Sequence, residues 1–130
     1  MCFLHSLVAA ALCLFAIGGS TFFFIESKTF EFLVEERGSY FSLRIFESGH
    51  TSMRSVFMGK ESANPFLFHL EELISKQSPG HYARTIRKGD LVFILQLGSN
   101  AHGTFLMVSE LLHGRRKGNI VIPEGRLGSG

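Results

Sequence analysis

The sequence lacks several residue types on which whole classes of protein depend. It has no tryptophan, two cysteines, three prolines and a single aspartate, Asp90, in 130 residues. Cys2 and Cys13 both belong to the apolar N-terminus, and in a helix they would lie about three turns apart, too far for a disulfide. Two cysteines are also too few for a cysteine-based zinc motif. The sequence therefore predicts a small fold without disulfides or zinc.

The residues that catalytic sites require are scarce or wrongly spaced. A Ser-His-Asp triad would depend on Asp90 alone, and no G-x-S-x-G motif occurs. The six histidines show neither an i, i+4 pair nor the spacing of metal ligands. Phosphate-binding loops and dinucleotide fingerprints are also missing from the sequence. We therefore expect no enzymatic activity and no cofactor.

Charge is unevenly distributed although the formal net charge is only +2. Residues 26–78 contain six basic and eight acidic side chains, whereas residues 79–130 contain seven basic and three acidic ones. A positive field over the second half suits an anionic partner. A solvated basic surface without a partner would have the same composition.

Residues 1–25 contain no Asp, Glu, Lys or Arg and are long enough for a helix that crosses a bilayer. One interpretation is a single-pass membrane anchor, and another is a signal peptide cleaved near residues 16–18. A wrongly chosen start site is the third. We expect an N-terminal hydrophobic helix that acts as a signal or transmembrane segment.

Alternating apolar and polar residues after this segment predict an antiparallel β-meander. Residues 28–35 and 40–47 flank a turn, and residues 53–59 form a third strand. Asn64 and Pro65 then match a helix start. One apolar stripe on this helix would cover the sheet: Phe66, Leu70, Leu73 and Ile74.

After a link that contains Arg84, Arg87 and Lys88, the strand pattern resumes at residue 90 and stops before a second helix. Aligning residues 43–47 with 106–110 also brings residues 56–58 against 120–122. We predict an α+β fold in which a β-meander plus helix occurs about twice, with the second repeat truncated. The predicted units are the hydrophobic segment, a first ββ(β)α repeat and a second, incomplete β repeat: residues 1–25, 28–78 and 79–130.

The second copy, "FILQLGSNAHGTFLMVSEL" followed by "RRKGNIVIPEG", resembles a repeat of the Pur-alpha type, the purine-rich single-stranded nucleic-acid-binding proteins. The segment "FEFLVEERGSYFSLRIFE", with "MRSVFMGKES" and the helix, is similar to a more diverged copy. The resemblance covers about residues 28–127 and extends to plant proteins associated with retroelements. It implies a Pur-repeat or Whirly-like arrangement in which two repeats intertwine, curved sheets bind single-stranded DNA or RNA, and a homodimer can form.

The resemblance implies contacts from the turn at Ser99 and Asn100, from Arg44, and from a basic loop of Arg115, Arg116 and Lys117. It also shows a departure, because Met107 stands where a basic residue is expected. The residues themselves add an aromatic–basic–aromatic row on one face of a strand, with a further ring at the matching place of the second copy: Tyr40, Arg44, Phe46 and Phe105. For each ring, packing in the core is the competing interpretation.

The function expected from these observations is non-catalytic binding of single-stranded or purine-rich nucleic acid through a sheet face and a basic loop. The alternative is a membrane-anchored or secreted module that binds protein. The two differ in location: residues 1–25 would place the chain at a membrane if they are a genuine anchor, and otherwise we expect the nucleus.

Overall fold

The computed structural model describes residues 13, 18–25, 27–75, 82–101 and 103–123. Its strands form two antiparallel sheets of four strands each, sheet 1 in the order β1-β2-β3-β4 and sheet 2 in the order β5-β6-β7-β8. The elements run in this order: β1 (Gly19–Ile25), β2 (Lys28–Arg37), β3 (Tyr40–Ser48), β4 (Met53–Gly59), helix α1 (Lys60–Ser75), β5 (Ala83–Lys88), β6 (Leu91–Asn100), β7 (Gly103–Leu112) and β8 (Arg115–Pro123).

The predicted α+β fold class is wrong, because the described structure is predominantly β with two four-stranded sheets. The sequence pattern missed the first strand of each sheet. Ile86 is the one buried side chain of β5, so the sequence of this strand resembles that of a polar linker. In β1 the run from Phe22 to Ile25 continues the apolar N-terminus without a break.

The predicted N-terminal hydrophobic helix over residues 1–25 is also wrong for residues 19–25. Gly19–Ile25 is strand β1, paired with β2 from Gly19 opposite Val34 to Ile25 opposite Lys28. Apart from residue 13, residues 1–17 lie outside the described residues. None of the helices that the structure describes is long and apolar enough to cross a bilayer.

Helix α1 begins five residues before Pro65, its predicted first residue, and directly after the last residue of β4. Pro65 therefore lies inside the helix, where it lacks the N–H that would bond to the carbonyl of Glu61. The predicted apolar stripe is buried at Phe66, Leu70 and Leu73. The helix contacts β3, β4 and β5, so it connects the two sheets.

The core lies between the inner faces of the sheets and α1. Side chains alternate along each strand, so every second residue points inward. The inner residues of the central strands are almost fully buried: Phe30, Phe32, Val34, Leu43, Ile45, Phe93, Leu95, Leu106 and Val108. The opposite faces, called the outer faces of sheets 1 and 2 below, hold the remaining side chains.

Two buried carboxylates join the sheets in a reciprocal way. The N–H of Val121 on β8 donates to Oε1 of Glu47 on β3 at 2.9 Å. The N–H of Phe57 on β4 donates to Oε1 of Glu110 on β7 at 3.2 Å. Glu47 and Glu110 occupy equivalent positions in the alignment of the two copies, and so do Phe57 and Val121. The contact between sheets therefore has approximate twofold symmetry.

The edges of the two sheets also approach each other closely at a glycine. A Cβ on Gly118 of β8 would lie 2.3 Å from the carbonyl oxygen of Ser55 on β4. Real Cβ atoms do not come so close to a backbone atom, so only glycine fits without a shift of the strands.

Helix α1 is held against β5 by a polar cluster. The hydroxyl of Tyr82 lies 2.8 Å from the carbonyl oxygen of His69 and 3.2 Å from Oε1 of Glu72. Nε of Arg84 donates to the same Glu72 oxygen at 2.9 Å, and the guanidinium lies 4.5 Å from the centroid of the Tyr82 ring. Burial, followed by the hydrogen bond to Glu72, raises the pKa of Tyr82 to about 12.

We expect Glu47→Leu to lower the free energy of unfolding by about 1–3 kcal/mol, because the N–H of Val121 is left buried without an acceptor. Glu110→Leu should have a similar effect through Phe57. Glu47→Gln keeps an acceptor oxygen and should cost less, and Glu36→Gln on an exposed position of β2 is the control. Chemical denaturation measures all four, and losses below about 0.5 kcal/mol for both leucine variants would contradict the reciprocal contact.

The raised pKa of Tyr82 predicts a loss of stability at high pH. An unfolded tyrosine ionises near pH 10, so the stabilisation is complete below that value and is lost as pH rises to about 12. In a Tyr40→Phe variant, Tyr82 is the remaining tyrosine, and its tyrosinate absorbance should appear near pH 12. Ionisation near pH 10 while the protein remains folded would show that the hydroxyl is not held as described.

Candidate functional site

The first group of predicted site residues lies on the outer face of sheet 1. Tyr40 and Arg44 are exposed on β3, and Phe46 on the same strand is half-buried. The guanidinium of Arg44 lies 5.3 Å from the ring centroid of Phe57, its direct partner on β4. This distance permits a cation–π interaction. The aromatic partner of Arg44 is therefore on the neighbouring strand.

Sequence reasoning missed Phe57 because its position depends on strand register. The residue is 39% exposed, although a phenylalanine in "MRSVFMGK" would normally be assigned to a core. On β4, Phe57 faces away from its neighbours Val56 and Met58, which are buried. The pairing of Phe57 with Arg44 appears only once β3 and β4 are aligned.

Acidic side chains reduce the positive charge of this face. On β2, Glu31 lies opposite Phe46 and Glu35 lies opposite Ser42. The two glutamates are therefore diagonal neighbours of Arg44, within the range at which cross-strand charges interact. The outer face of sheet 1 therefore offers aromatic surface around an arginine that has two glutamates on the neighbouring strand.

The second group lies at one end of sheet 2. Ser99 and Asn100 are exposed at the end of β6, in the hairpin that leads to β7. Phe105 lies opposite Gly98, and a Cβ on that glycine would be 2.6 Å from Cζ of the ring. The ring of Phe105 therefore lies over the Gly98 backbone, and the residue is half-buried. Gly98 provides the space for this position.

The third group lies at the other end of sheet 2. Arg115, Arg116 and Lys117 are the first residues of strand β8, whereas a loop was expected, and all three are exposed. Nζ of Lys117 is 3.5 Å from Oε2 of Glu110, so part of its charge is directed toward the buried carboxylate. Arg115 and Arg116 form no ion pair with any acidic side chain in the described parts of the chain.

The structure therefore brings together only part of the predicted set. Tyr40, Arg44 and Phe46 share one face of sheet 1, whereas the other predicted residues belong to sheet 2. Within sheet 2, Phe105 and Leu111, the residue opposite Arg116, are six positions apart on β7, which corresponds to about 20 Å. A ligand that touches both ends of sheet 2 must be extended.

Comparison with known proteins shows a weak similarity to a curated protein. The chain is 26% identical over 103 residues to Transcription factor Pur-alpha 1 of Arabidopsis thaliana, an alignment that covers 78% of this chain and 34% of that protein. This chain therefore spans about a third of the length of that relative. No protein-family model matches the sequence. The comparison supports a likeness to the Pur-alpha type at this coarse level.

Gly98→Ala should displace the ring of Phe105, because the added methyl would occupy the space of Cζ. The ring is the end of a flexible side chain, so we expect a modest loss of stability, about 1 kcal/mol, and a clear change in the aromatic NMR signals of Phe105. Gly59→Ala is the matched control, since its Cβ would have no atom within 4 Å. Unchanged Phe105 signals in Gly98→Ala would contradict this geometry.

Proposed function

We propose that this protein binds single-stranded nucleic acid without catalysing a reaction on it. The observation that carries the proposal is the outer face of sheet 2, which holds both the half-buried ring of Phe105 and Arg116, an arginine without an ion-pair partner among the described residues. The likeness to Transcription factor Pur-alpha 1 supports the same class of ligand. Single-stranded binding needs this combination, because phosphates require cations and unstacked bases require flat rings.

Sheet 2 supports the proposal better than sheet 1 because of its charge. Residues 82–123 contain six basic side chains and two acidic ones, Asp90 and Glu110. Glu110 is buried, and Asp90 lies in a turn beside His113. On sheet 1, Arg44 lies between two glutamates. We assign Phe105, Asn100 and Arg116, which share the outer face, to the primary contact surface, and Ser99 and Arg115 to its two ends.

Arg44, Tyr40, Phe46 and Phe57 then form a secondary surface on sheet 1. Aromatic rings on this face can stack on bases, whereas the neighbouring carboxylates repel phosphates. We expect its contribution to depend on stacking more than on charge. Lys117 has a minor role in this proposal, because Glu110 already attracts its ammonium group.

A second candidate function is association with another protein through β1. This strand is at the edge of sheet 1, has no charged side chain, and exposes 58% of Phe22 and 79% of Phe24. Uncharged edge strands with exposed apolar residues are prone to pair with other strands. Nucleic-acid binding is favoured, because edge pairing would not account for the arginines of sheet 2.

The full chain should bind a fluorescently labelled single-stranded purine-rich oligonucleotide, with affinity that falls steeply as salt concentration rises. Phe105→Leu keeps an apolar side chain over Gly98 but removes the aromatic face, and it should cost about 1–3 kcal/mol of binding free energy for one stacked base. Fluorescence anisotropy measures both effects.

Phe68→Ala is the control for this experiment, since Phe68 is 63% exposed on α1 and lies on neither sheet. The affinity of this variant for the oligonucleotide should equal that of the parent chain. Binding that is independent of salt, or equal binding of a duplex of the same sequence, would count against the proposed function. Self-association that Phe24→Ser abolishes, without any oligonucleotide binding, would favour the second candidate.

A further inference from the structure

Four residues form one transverse row across the outer face of sheet 2: Arg87 on β5, Val92 on β6, Leu111 on β7 and Arg116 on β8. Arg87 pairs with Val92, and Val92 pairs with Leu111. Leu111 pairs with Arg116 just after a β-bulge, where the register shifts between Glu110 and Leu111. Residues directly opposite each other in antiparallel strands point to the same side. We call this set the arginine row.

The arginine row lies on the outer face of sheet 2. Along β6 the residue after Val92 is Phe93, which is fully buried on the inner face. Both arginines are exposed, and Val92 and Leu111 are half-buried between them. The two arginines are separated by three strand spacings, about 14 Å. An extended ligand can therefore contact both while lying on the apolar pair.

Neither arginine is neutralised by an acidic side chain within the described ranges. The acidic residues of sheet 2 are directed elsewhere: Oε1 of Glu110 accepts the N–H of Phe57, and Asp90 lies 3.5 Å from Nδ1 of His113. Two unpaired guanidinium groups on one face strongly favour an anionic ligand, since guanidinium binds phosphate through two parallel hydrogen bonds.

We propose that Arg87 and Arg116 hold two phosphates of a single strand that crosses sheet 2 at this end. This inference rests on the proposed function and adds a contact residue, Arg87, on a strand that sequence patterns assigned to a linker. The apolar side chains between the arginines face the sugars and bases. In a duplex those bases are stacked inside, so Val92 and Leu111 favour a single strand.

Lys88 provides a built-in control, because it follows Arg87 directly and carries the same charge. Lys88 is two positions after the buried Ile86 on β5, so its side chain lies on the inner side of the strand. Nζ of Lys88 forms an ion pair with a carboxylate oxygen of Glu61 in α1. If position on the sheet matters, removing Lys88 and removing Arg87 must have different effects.

The test uses the full chain and a labelled single-stranded purine-rich DNA, with anisotropy titrations at several salt concentrations. Arg87→Ala and Arg116→Ala should each weaken binding about tenfold and reduce the slope of log affinity against log salt by about 0.7, the value for one phosphate contact. The double variant should reduce the slope by about 1.4. Lys88→Ala should change affinity less than twofold, and unchanged melting temperatures establish that all variants are folded.

Each other outcome has a distinct meaning. Equal losses in Arg87→Ala and Lys88→Ala would show that only net charge matters and would overturn the inference. Salt-dependent binding that Arg87→Ala leaves unchanged would also overturn it, while the proposed function stands. Failure of the parent chain to bind would remove the proposed function itself. A dimer in sedimentation that Leu111→Ser dissociates would assign the row to a second copy of the chain instead.

Discussion

The arrangement of this protein depends on two buried carboxylates that cross from one sheet to the other. Strands β4 and β8 are edge strands. Some of their backbone N–H groups therefore have no carbonyl acceptor on a further strand of the same sheet. Glu47 and Glu110 accept one such group each, from Val121 and Phe57. Burying an unpaired N–H group or an unpaired carboxylate would be costly, and each of these contacts pairs one N–H group with one carboxylate oxygen. The contact at Gly118 then brings the two backbones close together.

This contact determines which charges are available to a ligand. Lys28 lies 2.9 Å from Glu47, and Lys117 lies 3.5 Å from Glu110, so each buried carboxylate has a cation nearby. Arg84 is engaged with Glu72 in holding the helix. The arginines on the outer face of sheet 2 have no such structural partner among the described residues. The contrast separates basic residues that stabilise the fold from those that can bind an anion.

Several elements could be predicted from local pattern, and others could not. The alternation in β2 and β3 is visible in the sequence because one face of each strand is buried and the other is not. Strand β5 was missed because, as an edge strand with one buried apolar side chain, it differs little from a polar linker. Strand β1 was missed for the opposite reason, since it merges with an apolar segment. The register between strands, which pairs Arg44 with Phe57 and aligns Arg87 with Arg116, has no local signal.

By itself, the sequence determined the duplicated strand pattern, the apolar stripe of α1, the hairpin between β6 and β7, and the excess of positive charge after residue 79. These features are local, because they follow from side-chain period, turn chemistry and composition. Only the tertiary structure decided that Glu47 meets Val121, 74 residues away, and that Arg87 and Arg116 lie in one row. Such contacts depend on how whole sheets pair and pack, and this is why neither a charge count nor a motif could distinguish a structural cation from one that is free to bind.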